Sequence, residues 1–312
     1  MGGGNLGDIK LFSLNNNDVT ELVGKSMAIE KALQKLIENN LETFLGIKLL
    51  GGEYQTGRKH GGRIDTLGID ENNSPVIIEY KRATNENVIN QGLFYLEWLL
   101  DHKAEFQVLV MEKYGKALSD EIDWTNPRLV CIAGGFTKYD EHAVQLIDRN
   151  IELYRYKSYE DKYLLLDLVN ATTAQNNQIK TSLTSINKTK TVNYQNSFED
   201  NLVLIDENLS NIYESLYDYV MALGDEIQFK KLKFYGAFKR IKNFVCVEAF
   251  PRKQAIVIYV KSDTSKIEFE EGFSRDVTNV GHYGTGNVEL TLRNEEDLEK
   301  AKPFINESFE NN

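Results

Sequence analysis

Apolar positions recur at helical spacing between Met27 and Leu45, where Leu33, Leu36, Ile37, Leu41, Phe44 and Leu45 line one face. The pattern predicts an amphipathic helix there, with Ser26 as a cap. Lys48-Leu49-Leu50 and Glu53-Tyr54-Gln55 flank Gly51-Gly52 and read as short extended pieces, and residues 57–62 read as a loop. From Arg63 to Ile69 apolar and polar residues alternate, as in a half-buried strand. A polar turn, Asp70-Glu71-Asn72-Asn73-Ser74, leads to Pro75 and a second strand, Val76-Ile77-Ile78-Glu79-Tyr80-Lys81. The two strands predict a hairpin.

Farther along, residues 86–102 read as a helix. Phe106 to Met111 and Leu129 to Ala133 are short continuous apolar runs, which predict strands buried on both faces. Asp140 to Asp148 reads as a helix, and Ile151–Tyr156 and Tyr163–Val169 as strands. This succession predicts an α/β fold, a mixed central sheet flanked by helices. Residues 171–197 are rich in Asn, Thr, Ser and Gln without apolar periodicity, so they read as a polar linker. Residues 198–312 then predict a smaller α+β domain: a helix over Leu209–Leu223, strands at Val245–Phe250, Ala255–Val260 and Val288–Leu292, and a final helix over Glu295–Phe309 capped by Asn294. The organisation expected is residues 1–170, a linker at 171–197, and an accessory domain at 198–312.

Composition narrows the function classes. Of 312 residues, 41% are hydrophobic and 27% charged, ordinary for a soluble globular protein. No apolar run is long enough to cross a bilayer, so no membrane partner is expected. The start of the chain lacks the features of a secretory signal. The two cysteines, Cys131 and Cys246, lie in apolar runs and read as buried hydrophobes, which fits a cytoplasmic setting. The four histidines are scattered, with no zinc-binding spacing. No Walker A motif is present, so no nucleotide cofactor is expected. The net charge of −11 argues against tight non-specific coating of nucleic acid. A site for divalent cations is itself acidic, and a binding groove needs only local positive charge.

The hairpin carries the chemistry. Residues two apart on a strand share a face, so Glu79 and Lys81 project together, and an antiparallel neighbour brings Asp65 beside them. Two carboxylates at one place suit a hard cation such as Mg²⁺. A nearby lysine can orient water or stabilise developing negative charge. An isolated Glu-x-Lys is also the mark of an ordinary surface ion pair. Here the pair ends an apolar central strand, where unpaired charge is costly.

Gly62-Arg63-Ile64-Asp65, followed after a turn by Val76-Ile77-Ile78-Glu79-Tyr80-Lys81-Arg82-Ala83, resembles the PD-(D/E)XK nuclease superfamily. More narrowly it resembles the catalytic domain of NucS/EndoMS-type, RecB-like endonucleases. Glu30-Lys31-Ala32-Leu33-Gln34 stands where those families carry a helix glutamate, and Gln91 with Tyr95 stands where they carry a glutamine and an aromatic. The resemblance covers about residues 26–110. It implies a restriction-endonuclease-like fold and Mg²⁺-dependent hydrolysis of DNA, with Mn²⁺ able to substitute, in defence or repair. It makes Asp65, Glu79 and Glu30 metal ligands, Lys81 the catalytic lysine, and Gln91 a catalytic helper. Arg58, Lys59, Arg63, Arg82 and Tyr95 become contacts to DNA. Cutting both strands with one site per chain calls for a homodimer. The rival expectation is a non-catalytic nucleic-acid-binding or interaction protein on a nuclease fold. Residues 198–312 resemble a small uncharacterised domain appended to such nucleases. Within it, residues 229–240 interleave basic and aromatic residues, as either a phosphate-binding patch or an amphipathic strand.

Overall fold

The computed structural model describes residues 9–57, 61–82, 87–172 and 196–312. The chain divides into two compact units, Met1–Leu183 and Thr184–Asn312. Among the described residues, no helix is long and apolar enough to cross a membrane.

The first unit opens with a hairpin of β1 (Leu11–Asn15) and β2 (Asp18–Leu22). Helices α1 (Glu30–Asn39) and α2 (Leu41–Leu45) follow, then β3 (Ile47–Gln55), β4 (Arg63–Asp70) and β5 (Pro75–Lys81). Next come α3 (Val88–Asp101), α4 (Lys103–Tyr114), α5 (Lys116–Asp120), β6 (Arg128–Ala133), α6 (Lys138–Gln145), β7 (Asn150–Tyr159) and β8 (Tyr163–Thr172). Strands β3 to β8 form one sheet in chain order. The pairs β5–β6 and β6–β7 are parallel, and the other neighbours are antiparallel. This is the mixed sheet flanked by helices that the sequence predicts.

Several elements differ from the expectation. The single helix over 27–45 is two, divided at Asn40. It starts at Glu30 after Ile29, with no side-chain cap, so Ser26 does not cap it. The pieces around Gly51-Gly52 are one strand, β3, which absorbs an irregularity between Leu49 and Gly51. Phe106–Met111 is helix, not strand. Phe106 and Val110 are buried while Val108 and Met111 are exposed, an i, i+4 pattern that a continuous apolar run conceals. The expected loop at 57–62, the start of the helix expected at 86, and most of the linker fall partly outside the described residues.

The far end of the sheet from β5's C-terminus is held by buried charge. Arg128 at the start of β6 donates from Nη1 to Asp70 Oδ2 (2.6 Å) and from Nε and Nη2 to Glu152 (3.1 and 2.6 Å). Tyr154 donates to Glu152 Oε2 at 3.1 Å. Strands β4, β6 and β7 are thus tied by one guanidinium, away from solvent.

The second unit holds α7 (Phe198–Leu204), α8 (Glu207–Met221), β9 (Gln228–Lys231), β10 (Gly236–Lys239), β11 (Asn243–Phe250), β12 (Ala255–Val260), β13 (Ser274–Asp276), β14 (Val288–Leu292) and α9 (Glu295–Glu310). Its antiparallel sheet runs β13-β14-β12-β11-β10-β9, with the helices packed on one face. Asn294 caps α9 by accepting from Asp297 N at 2.9 Å. Asn294→Ala is expected to lower the stability of the protein by about 1 kcal/mol, read as a shift in chemical denaturation. In the 229–240 stretch, Lys230 and Lys239 are buried and Phe229 and Phe238 belong to the core. It is an amphipathic strand pair, not an open basic patch.

Candidate functional site

The pairing of β4 with β5 ends at Thr66–Ile78. Just beyond, the backbone donors of the two strands turn to side chains. Asp65 N donates to Glu79 Oε1 at 3.1 Å, and Tyr80 N donates to Asp65 Oδ2 at 3.0 Å. Each carboxylate is therefore held by the strand that carries the other. On the opposite edge of β4, the ladder passes from Gly52–Thr66 to Tyr54–Ile64, with Glu53 and Asp65 between those pairs. Glu53 has φ +55°, a conformation that side-chain-bearing residues rarely adopt. Ile64 and Leu67 both join the cluster packed with α3, although they lie three apart. The simple alternation expected for β4 is broken between Ile64 and Leu67, and such irregularities often re-aim a side chain at a functional site.

Glu79 is fully buried, and its Oε2 has no hydrogen-bond partner. Burial, followed by the charge of Asp65, pushes the Glu79 carboxyl up to about 9. Burial also raises Asp65, against the hydrogen bond from Tyr80 N and the charge of Lys81. Two carboxyl groups this close and this dry do not both ionise freely. In parallel register, Glu79 lies beside Cys131 on β6, a buried free thiol.

Helix α1 backs the pair. Glu30 Oε1 lies 3.4 Å from Lys81 Nζ, and its Oε2 accepts from Arg82 N at 3.0 Å. One turn on, buried Gln34 donates from Nε2 to the carbonyl oxygen of Asp65 (2.7 Å) and to Glu38 Oε1 (3.0 Å). Another turn on, Glu38 accepts from Thr66 Oγ1 at 2.6 Å. Residues 30, 34 and 38 thus form one polar row that reads successive points of β4 and β5. Gln34, Glu38 and Thr66 were not expected at the site. The i, i+4, i+8 polar row beside Leu33 and Ile37 was the signal in the sequence.

Asp65, Glu79, Lys81 and Glu30 are brought together. The set does not form a three-acid metal cage: among the described residues, no group of three His, Cys, Asp or Glu side chains is placed to hold a metal ion. The two oxygens of Glu30 are engaged by Lys81 and the backbone of Arg82. Gln91 lies half-buried on α3. Tyr95 is 6% exposed, its hydroxyl accepts from Arg63 N at 3.1 Å, and its ring packs against the start of β4. Gly62 makes room for it, since a Cβ there would lie 2.5 Å from Tyr95 Cε1. Arg63 pairs with Glu53, and Arg82 Nη1 donates to Ala28 O at 3.4 Å. Arg58 and Lys59 lie outside the described residues.

The donor set fits a divalent cation in part. Mg²⁺ uses one or two carboxylates and keeps several waters. Asp65 with the orphaned oxygen of Glu79 supplies two carboxylates at one strand end, and an unpaired buried oxygen is otherwise costly.

Comparisons with known proteins bear on both units. Residues 199–312 match the family described as "Domain of unknown function (DUF5655)". A protein of Haemophilus influenzae (strain ATCC 51907 / DSM 11121 / KW20 / Rd), described as "Uncharacterized protein", is 26% identical over 96% of this chain and 99% of its own length. Among solved structures, a repair endonuclease from Pyrococcus abyssi is 19% identical over 44% of this chain and 50% of its own, with a TM-score of 0.29. An EndoMS–dsDNA complex is 17% identical over 47% of this chain and 64% of its own, with a TM-score of 0.24. The chain spans less than two thirds of either structure, and neither superposition is close enough to transfer a residue role.

Proposed function

We propose that the first unit is a Mg²⁺-dependent endonuclease that hydrolyses DNA phosphodiester bonds, with Mn²⁺ able to substitute. The observation that carries this reading is Glu79: a fully buried carboxyl with an unpartnered oxygen, locked to Asp65 through backbone hydrogen bonds and placed two residues from Lys81. DNA as the substrate rests on the sequence resemblance to the PD-(D/E)XK superfamily over residues 26–110.

Asp65 and Glu79 would hold the cation, which when bound polarises a phosphoryl oxygen and lowers the pKa of bound water. The chain's own residues do the rest. Glu79 would serve as a ligand in its carboxylate form, its proton passing to solvent. The backbone N–H groups of Asp65 and Tyr80 fix both carboxylates in place before substrate arrives. Lys81, held beside Glu30, presents its N–H donors where negative charge grows on the phosphorus oxygens. Gln34 holds the backbone of Asp65 from behind. Cleavage of both strands then calls for two copies of the chain.

The test is incubation of the full chain with plasmid and single-stranded DNA in Mg²⁺ or Mn²⁺, beside Asp65→Ala and Lys81→Ala. Each variant is expected to lose about 10²–10³ in rate, and chelation is expected to stop the wild type. Equal cleavage by wild type and variants would sink the reading. So would a pure, folded wild type that leaves every DNA tested intact and binds neither metal nor DNA.

A further inference from the structure

Beside the carboxylate pair, Lys31, Glu53 and Arg63 form a fork. We infer that its two cations bind a backbone phosphate of the DNA substrate, and that the Glu53 carboxylate holds this place in the free protein. The inference rests on the nuclease reading above and adds Lys31 and Glu53 to it.

Three elements converge on the fork. Lys31 follows Glu30 on α1, Glu53 sits in β3 facing Asp65, and Arg63 opens β4 two residues before Asp65. Glu53 Oε1 takes Lys31 Nζ, and Glu53 Oε2 takes Arg63 Nε. One oxygen per cation is how the two non-bridging oxygens of a phosphodiester would divide between them. Glu53 lies opposite Asp65 on the β3–β4 ladder, between the pairs Gly52–Thr66 and Tyr54–Ile64. The fork therefore borders the reacting carboxylates.

An ordinary surface ion pair does not ask for a left-handed backbone, yet Glu53 has φ +55°. Such conformations persist where the surroundings over-determine them, and they cluster at ligand clamps. Exposure divides in the same sense. The Glu53 side chain is 26% exposed, while those of Lys31 and Arg63 are 46% and 62% exposed. The acid is tucked beneath the cations, whose outer sides face solvent. A phosphate approaching from outside meets both cations and has one internal anion to displace.

The experiment is fluorescence anisotropy of a short labelled DNA duplex against the full chain. Ca²⁺ replaces Mg²⁺ so that binding is read without turnover, over about 50–200 mM salt. Lys31→Ala and Arg63→Ala are each expected to weaken binding several-fold. Each should flatten the plot of log affinity against log salt, and the double variant should flatten it by about 0.9, the loss of one phosphate contact. Glu53→Gln is expected to tighten binding several-fold at low salt, because both cations are then free. Lys35→Ala removes the same charge from an exposed position of α1 and is expected to leave the slope unchanged. Thermal melts establish that each variant is folded. If wild type binds with a clear salt slope and neither Lys31→Ala nor Arg63→Ala changes it, the triad is only a surface ion pair and the nuclease reading stands. An equal change from Lys35→Ala would also overturn the assignment. A wild type that neither binds nor cleaves DNA overturns both.

Discussion

Glu79→Gln is expected to abolish cleavage and, in the absence of divalent metal, to raise the melting temperature at pH 8. The two effects share one cause. In the folded protein the Glu79 carboxyl is pushed up to about 9, against an ordinary value of 4.5. Between those values the folded state keeps a proton that the unfolded state has released. Stability therefore falls as pH rises through this window, and the full penalty is reached above about 9. Gln is neutral and nearly isosteric, and its amide oxygen can still accept from Asp65 N. It removes the penalty, which at pH 8 is on the order of a few kcal/mol. For a protein of this size each kcal/mol moves the midpoint by about 2–4 °C. The gain should vanish near pH 4, where Glu79 is protonated in both states. Differential scanning calorimetry across pH, with and without Mg²⁺, checks this. Metal should raise the midpoint of the wild type and leave that of Glu79→Gln unchanged. A variant that melts below wild type at pH 8 would show that Glu79 stabilises the fold rather than burdening it.

The largest loss of stability is expected from Arg128→Ala. This guanidinium bonds Asp70 on β4 and Glu152 on β7, all within the sheet. Its removal leaves two buried carboxylates without their cation, and breaking a buried pair in this way costs about 3–5 kcal/mol. Replacing all three charges by apolar residues of similar volume is expected to cost far less, or nothing, because burying the ions was itself unfavourable. Urea denaturation of the single and triple variants separates the two. A single variant as stable as wild type would mean that water reaches the cluster.

The carboxylate pair was legible because its members lie on one hairpin, fourteen residues apart. Alternation fixed the strands, and the i, i+2 rule placed Glu79 with Lys81. The mixed sheet was legible in the same way, from short apolar runs between polar turns. What escaped depended on contacts that no local pattern encodes. Gln34 acts on a backbone oxygen 31 residues away. Glu53 depends on a backbone turn in a strand whose glycines suggested a break instead. The run Phe106–Met111 misled because a continuous apolar stretch fits a buried strand and a buried helix equally well. The hairpin Leu11–Leu22 escaped because nine of its ten strand residues are exposed, so no core side marked it.

The order of the first unit's sheet follows the order of the chain, β3 through β8, so each strand pairs with the one made just before it. Long-range closure is thereby kept low, which favours fast assembly. The antiparallel β4–β5 ribbon, joined by a short turn, can form while later segments are still being synthesised. The parallel partner β6 must wait for the crossover through α3, α4 and α5. Asp65 and Glu79 would thus meet early, on a two-stranded ribbon still open to water. Only the arrival of β6 and its neighbours would seal the pair and drive a proton onto Glu79. A nascent chain would therefore hold a solvated carboxylate pair before it holds a dry one.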